Sequence, residues 1–134
     1  MARRRLLRDT MTLRAPTPMS AALADELSAA RNMFGNGGDG WRHLERAHVL
    51  SQPWAWDHIR VHTHMLRRGW HERDRVEVRG QLLRLVVAGP GSLVSRYPIG
   101  NTGRARVSAT LPMPITDDDL RAALGAAGQT VDDK

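Results

Sequence analysis

Glycine and proline cut this chain into helix-sized pieces, and that punctuation limits its fold more than any other feature. Thr17 followed by Pro18 is a helix start, a capping residue with proline at the first helical position. Gly35-Asn36-Gly37-Gly38 breaks the segment that follows. Asp39 can cap a second helix, Pro53 opens a third and Gly69 is a natural stop. Between these marks the apolar residues recur with helical period, which predicts helices over about 18–34, 40–51, 53–68 and 72–88. Short connections make neighbouring helices antiparallel.

Residues 89–115 change character, because proline and glycine recur too often for a long helix. Thr116 and then Asp117, Asp118 and Asp119 signal one more start, with carboxylates at the positive end of the helix dipole. A short helix over about 117–126 should follow. The expected architecture is all-α: a compact bundle of four antiparallel helices, a long irregular C-terminal segment and a short last helix. Residues 1–16 read as a disordered basic extension, 17–127 as a single helical domain and 128–134 as a tail.

Composition narrows the chemistry. The 134 residues contain no cysteine, which excludes disulfides, thiolate zinc sites, iron–sulfur clusters and cysteine nucleophiles. Any metal would be held by nitrogen and oxygen donors. No stretch approaches the roughly 18 apolar residues of a membrane span, and the basic N-terminus lacks the apolar core of a signal peptide. Both point to a cytoplasmic protein without a membrane partner. The net charge is +6 and Lys134 is the only lysine. The arginines are spread along the whole chain, and at 4% aromatic residues a base-stacking platform is disfavoured. Nucleic-acid or polyanion binding therefore rests on charge alone.

Two of the helices carry paired metal-ligand residue types on their inner faces. On a helical wheel, Trp41, Leu44, Glu45 and His48 cluster on one side of the second helix. In the third, Trp54, Ala55, His58, Ile59, Val61, His62, Met65 and Leu66 face inward. Trp56, Arg60, Thr63, His64 and Arg67 face outward. Spacings of three and four residues put Glu45 with His48 and His58 with His62. If the two helices face each other, these four side chains converge. Such a nitrogen/oxygen set suits one divalent ion of zinc, iron, nickel, manganese or copper. Glu26, Glu77 and Gln81 are candidate extra or supporting ligands. The competing reading is a buried polar network in which the histidines bond Glu45, Gln52, Gln81 or loop carbonyls.

The fourth helix carries two apolar stripes, Val76, Gly80, Leu83 and Val87 on one side and Val78, Leu82 and Leu85 on another. That pattern predicts a central helix, or one lying under the C-terminal segment. The glycine-rich loop Gly100-Asn101-Thr102-Gly103-Arg104 could cradle an anion with its amides and arginine. Its alternative role is a tight turn that lets the chain reverse over the bundle. No serine sits in a nucleophile elbow and no acidic pair is placed for catalysis, so the sequence favours a non-enzymatic role.

The runs H-L-E-R-A-H-V-L-S-Q (His43 to Gln52), H-I-R-V-H-T-H-M-L, R-D-R-V-E-V-R-G-Q, G-N-T-G-R-A and P-M-P-I together resemble a family of small bacterial proteins known as a domain of unknown function. The resemblance spans Ala21 to Leu124. Its pattern includes the positions of Glu45, His48, His58, His62, Glu77, Gln81, Asn101 and Pro112 to Pro114. It implies no established activity. The leading expectation is a small helical protein that binds a transition metal, in metal handling or stress response. The rival is an interaction module, with structural histidines and a protein partner or a second copy docking near exposed Trp56.

Overall fold

The computed structural model describes residues 13–93, 99–109 and 111–129, and for residues 87–93 the backbone alone. Among these residues there are five helices and no strand: α1 (Thr17–Gly35), α2 (Trp41–Ser51), α3 (Ala55–His71), α4 (Arg75–Leu93) and α5 (Asp118–Ala126). The first four pack each on the next, and α5 returns to lie on α2. The expected all-α bundle is therefore present. Residues 1–12 and 130–134, most of the anticipated extension and tail, lie outside the described residues. Ala15 is tied down, donating its amide to Asp57 Oδ2 at 2.7 Å.

Local chemistry explains the helix boundaries. Pro18 opens α1, and Gly37 closes it in a left-handed conformation (φ 76°) that favours glycine. A Cβ at Gly40 would lie 2.5 Å from the Ala30 carbonyl oxygen, so only glycine lets α2 start this close to α1. Asp39 Oδ1 accepts the amide of Trp41 at 3.0 Å, as its capping position suggested. Two expected stops are overrun. Helix α3 continues past Gly69 to His71, because Gly69 is a contact point rather than a terminator. A Cβ there would sit 3.1 Å from Cβ and Cγ of Glu77 on α4. The turn comes at Arg73 (φ 58°) instead, and Asp74 Oδ1 then accepts the amides of Val76 and Glu77, both at 3.1 Å. Helix α4 runs through Pro90 to Leu93, although a proline there removes a helical hydrogen bond and crowds the preceding turn.

The apolar core joins Met19, Leu23, Leu27 and Ala30 of α1 to Trp41, Leu44, Ala47 and Leu50 of α2. Trp54, Val61 and Met65 extend it toward α3, and Ile115, Leu120 and Leu124 close it from the C-terminal segment. Helix α4 is built the other way round and corrects the stripe reading. Its buried residues are Glu77, Gln81 and Arg84, while Val76, Leu82, Leu83 and Val86 are exposed. The side chain of Val87 lies outside the described residues. The physical reason is that loop 99–109 folds down on α4 and presents backbone amides and carbonyls, which need polar partners.

One guanidinium adds a charged tie between helices that the apolar core already joins. Arg46 Nε meets Glu26 Oε1 at 2.8 Å, and its two amino groups reach Asp117 Oδ2 at 3.0 Å and Asp119. The pairs link α1, α2 and the start of α5, and Arg46 is mostly buried. Arg46→Ala is expected to destabilise the fold by about 1–3 kcal/mol, because it strands a partly buried carboxylate. Chemical denaturation would measure this, and a change below about 0.5 kcal/mol would show the hub to be a surface ornament.

Candidate metal centre

The wheel positions inward on α2 and α3 bring three imidazoles together. His48 Nε2 lies 3.1 Å from His62 Nε2 and 2.9 Å from His58 Nε2, and the third side of the triangle is 3.2 Å. The ring centroids are 4.7–4.8 Å apart, so the rings surround one point evenly. All three side chains are buried.

The outer nitrogens determine what the inner ones can do. His48 Nδ1 donates to the Asn101 carbonyl at 2.6 Å, since a carbonyl can only accept. His62 Nδ1 faces Gln81 Oε1 at 2.6 Å. The Gln81 amide is oriented by its other end, where Nε2 donates to Glu77 Oε1 at 2.6 Å and to the Gly103 carbonyl at 2.8 Å. His62 Nδ1 must therefore be a donor as well. Each neutral imidazole carries one N–H, so His48 and His62 confront each other with bare Nε2 lone pairs. His58 can donate one Nε2–H to only one of them. Protonation is opposed as well. Burial, followed by the neighbouring rings His62 and His58, holds His48 well below its usual range. Burial holds His62 at about 4, although its bond to Gln81 works in the other direction.

Nε2 of His48 and of His62 turn lone pairs inward, and His58 Nε2 is the third nitrogen of a tris-imidazole set that could surround one ion. Ligands at zinc–nitrogen distances of about 2.0–2.1 Å in tetrahedral array lie about 3.3 Å apart, and the observed separations need open by only tenths of an ångström. His48, His58 and His62 fit a small divalent ion.

Of the four expected ligands, Glu45 does not join the cluster. Its carboxylate is partly exposed and takes Arg104 Nη1 at 3.3 Å. Burial nevertheless raises its pKa, with Arg104 opposing. Glu26 serves Arg46 and His43 on the far side of α2. Gln81 and Glu77 occupy supporting positions, Gln81 on His62 and Glu77 on Gln81. Glu77 is fully buried, and it also accepts the Ala105 amide at 3.2 Å and Arg104 Nε at 3.1 Å. His64, expected outward, points away from the cluster but is half-buried.

The Glu77 carboxylate takes Arg104 Nε and the amide of Ala105, just beyond loop 100–104, while two amides of the loop itself are used within the fold. Gly100 N–H goes to Gln52 Oε1 at 3.0 Å and Gly103 N–H to Asn101 Oδ1 at 2.9 Å. Arg104 also lies over the Trp41 ring, 3.7 Å from its centroid. A Cβ on Gly103 (φ 79°) would strike His48 Cδ2 at 2.5 Å, so glycine lets the loop seat its carbonyls on the cluster. Arg84 went unnoticed in the sequence because it sits between apolar stripes. It is buried, donates to the Val107 carbonyl, and its charge further depresses His48 and His62.

A small all-α domain enclosing a tris-histidine cluster describes the class. The chain belongs to the family described as protein of unknown function (DUF3703), which matches residues 17–124. No curated protein and no solved structure matches it.

Acid should unfold the metal-free protein early. The unfolded chain takes up a histidine proton near pH 6.5, whereas folded His62 does so only near 4. Between those values the unfolded state binds more protons, so lowering the pH favours it. His48 and His64, both lowered by burial, act in the same direction. Thermal unfolding of the metal-free protein should show Tm falling steadily from pH 6.5 to 4. A flat Tm across that window would contradict the neutral, lone-pair-inward arrangement.

Proposed function

We propose that this protein holds one divalent transition metal through Nε2 of His48, His58 and His62, in metal handling or stress response rather than in catalysis. The observation that carries the reading is the face-to-face pair of bare lone pairs on His48 and His62, which a cation resolves and hydrogen bonding cannot. Imidazole donors suit zinc, nickel, copper(II) and iron. Manganese, which prefers oxygen ligands, loses ground once Glu45 pairs with Arg104. Asn101 and Gln81 orient the rings, and Glu77 orients Gln81, an outer shell of the kind that metal-bound histidines use to set tautomer and basicity. Because the cluster is buried beneath loop 99–109, exchange of the ion requires that loop to lift, which favours retention over turnover. The rival reading, an interaction module with the histidines as a plain network, draws support from the exposed outer face of α4.

Metal analysis of protein purified without a histidine tag tests the proposal. One ion per chain is expected. Adding zinc or nickel at 100 times the dissociation constant should raise stability by about 2.7 kcal/mol. His62→Ala should abolish that gain. Failure of zinc, nickel, copper and iron at micromolar concentration either to bind or to shift Tm would leave the network reading in place.

The supporting shell has its own signature. Gln81→Leu leaves His62 Nδ1 without its acceptor while keeping all three ligands. Metal affinity is expected to fall about 10–100-fold, measured by competition with a chromophoric chelator. Unchanged affinity would show that the Glu77–Gln81–His62 chain does not tune the site.

A further inference from the structure

Helices α1 and α3 both pack on α2 rather than on each other, and a cleft opens between them. Leu27, Ala30, Arg31 and Phe34 share one face of α1, spaced as neighbours on successive turns. His64, Arg67, Arg68 and His71 share one face of α3 at the same spacings. These two faces and Leu44 of α2 line a cavity of about 230 Å³. Its floor is apolar, since Leu27, Ala30 and Leu44 are buried and Phe34 is partly so. Its rim is cationic, with Arg31, Arg67 and His71 exposed.

The fold answers only one of these cations. Arg68 is fixed, with Nε on Glu72 Oε1 at 2.6 Å and its guanidinium 3.8 Å over the Phe34 ring. Among the described residues, Arg31, Arg67 and His71 make no ion pair. His64 registers the surplus of charge. Burial, then Arg60, Arg67 and Arg31, hold its ring below the usual range, and no carboxylate opposes them. We propose that the cleft binds a small organic anion, with its apolar body on Leu27, Ala30, Phe34 and Leu44 and its carboxylate or phosphate at the Arg31 and Arg67 rim. At about 30 Å³ per water-sized unit, the cavity takes roughly eight non-hydrogen atoms, a single ring or a short chain. That is smaller than a drug-sized ligand requires. The planar fork of arginine suits either head group, because each offers two acceptor oxygens side by side. An inorganic ion would leave the apolar floor uncovered, and a neutral ring would leave the cations unanswered.

Titration of the isotope-labelled full chain with benzoate, phenyl phosphate, benzamide and inorganic phosphate, followed by amide NMR shifts at matched ionic strength, tests the idea. Benzoate or phenyl phosphate should bind with a dissociation constant of about 0.1–1 mM, the range open to so few atoms. The tighter of the two identifies the head group, and the shifts should centre on the ends of α1 and α3. Benzamide has the ring without the charge, and inorganic phosphate has the charge without the ring. Each should bind at least about 10-fold more weakly than its ring-bearing anion. Arg31→Gln with Arg67→Gln, both at exposed positions, should remove most of the affinity. The proposal is overturned by any of four results: no shift with either ring-bearing anion at about 5 mM, several times the weakest expected constant; equal binding of benzamide and benzoate; phosphate as tight as phenyl phosphate; or affinity unchanged in the double variant. Should the double variant not fold, the benzamide comparison decides alone.

Discussion

Two imidazole nitrogens that both need a positive partner, 3.1 Å apart on buried rings, are the constraint around which this molecule is arranged. Burying such groups is unfavourable unless something answers the lone pairs. The protein's response is a set of fixed hydrogen bonds on the outer sides of the rings, which turn the lone pairs inward. Asn101 provides a backbone carbonyl for His48, and Gln81 provides a side-chain oxygen for His62. The remaining polar interior exists to hold those two acceptors still. Glu77 fixes Gln81, while Gln52 and Asn101 fix the loop.

This arrangement accounts for the unusual form of α4. A helix on the flank of a small bundle normally turns its apolar side inward. Here the inner side has to match a polar loop and the far side of a histidine, so Glu77, Gln81 and Arg84 face in. The leucines and valines of α4 are left outside as a consequence. The residues that support the histidine cluster and the exposed leucines and valines are thus two sides of one helix.

Periodicity and punctuation made most of the helices legible. The wheel placed His48, His58 and His62 inward and Trp56 outward because α2 and α3 are ordinary amphipathic helices with a clear apolar reference face. It misassigned α4 because both of its sides are rich in leucine and valine, and a wheel ranks faces by hydrophobicity alone. Glu45 sits on the correct face of α2 but at its edge, where Arg104 from the loop, remote in sequence, reaches it first. Gly69 looked like a helix terminator because glycine usually is one. Its real use, letting Glu77 approach closely, depends on another helix.

What the sequence determined by itself was therefore local: where helices start, which face of α2 and α3 is apolar, and which histidines share that face. Those properties depend on residues within a few turns of one another. Tertiary structure alone decided that Asn101 reaches His48 across 53 residues, that Gln81 rather than Glu45 serves the cluster, and that α4 is polar within and apolar without. Each of these is a competition between partners far apart in the chain, and its outcome is set by the loop that closes over them rather than by any local pattern.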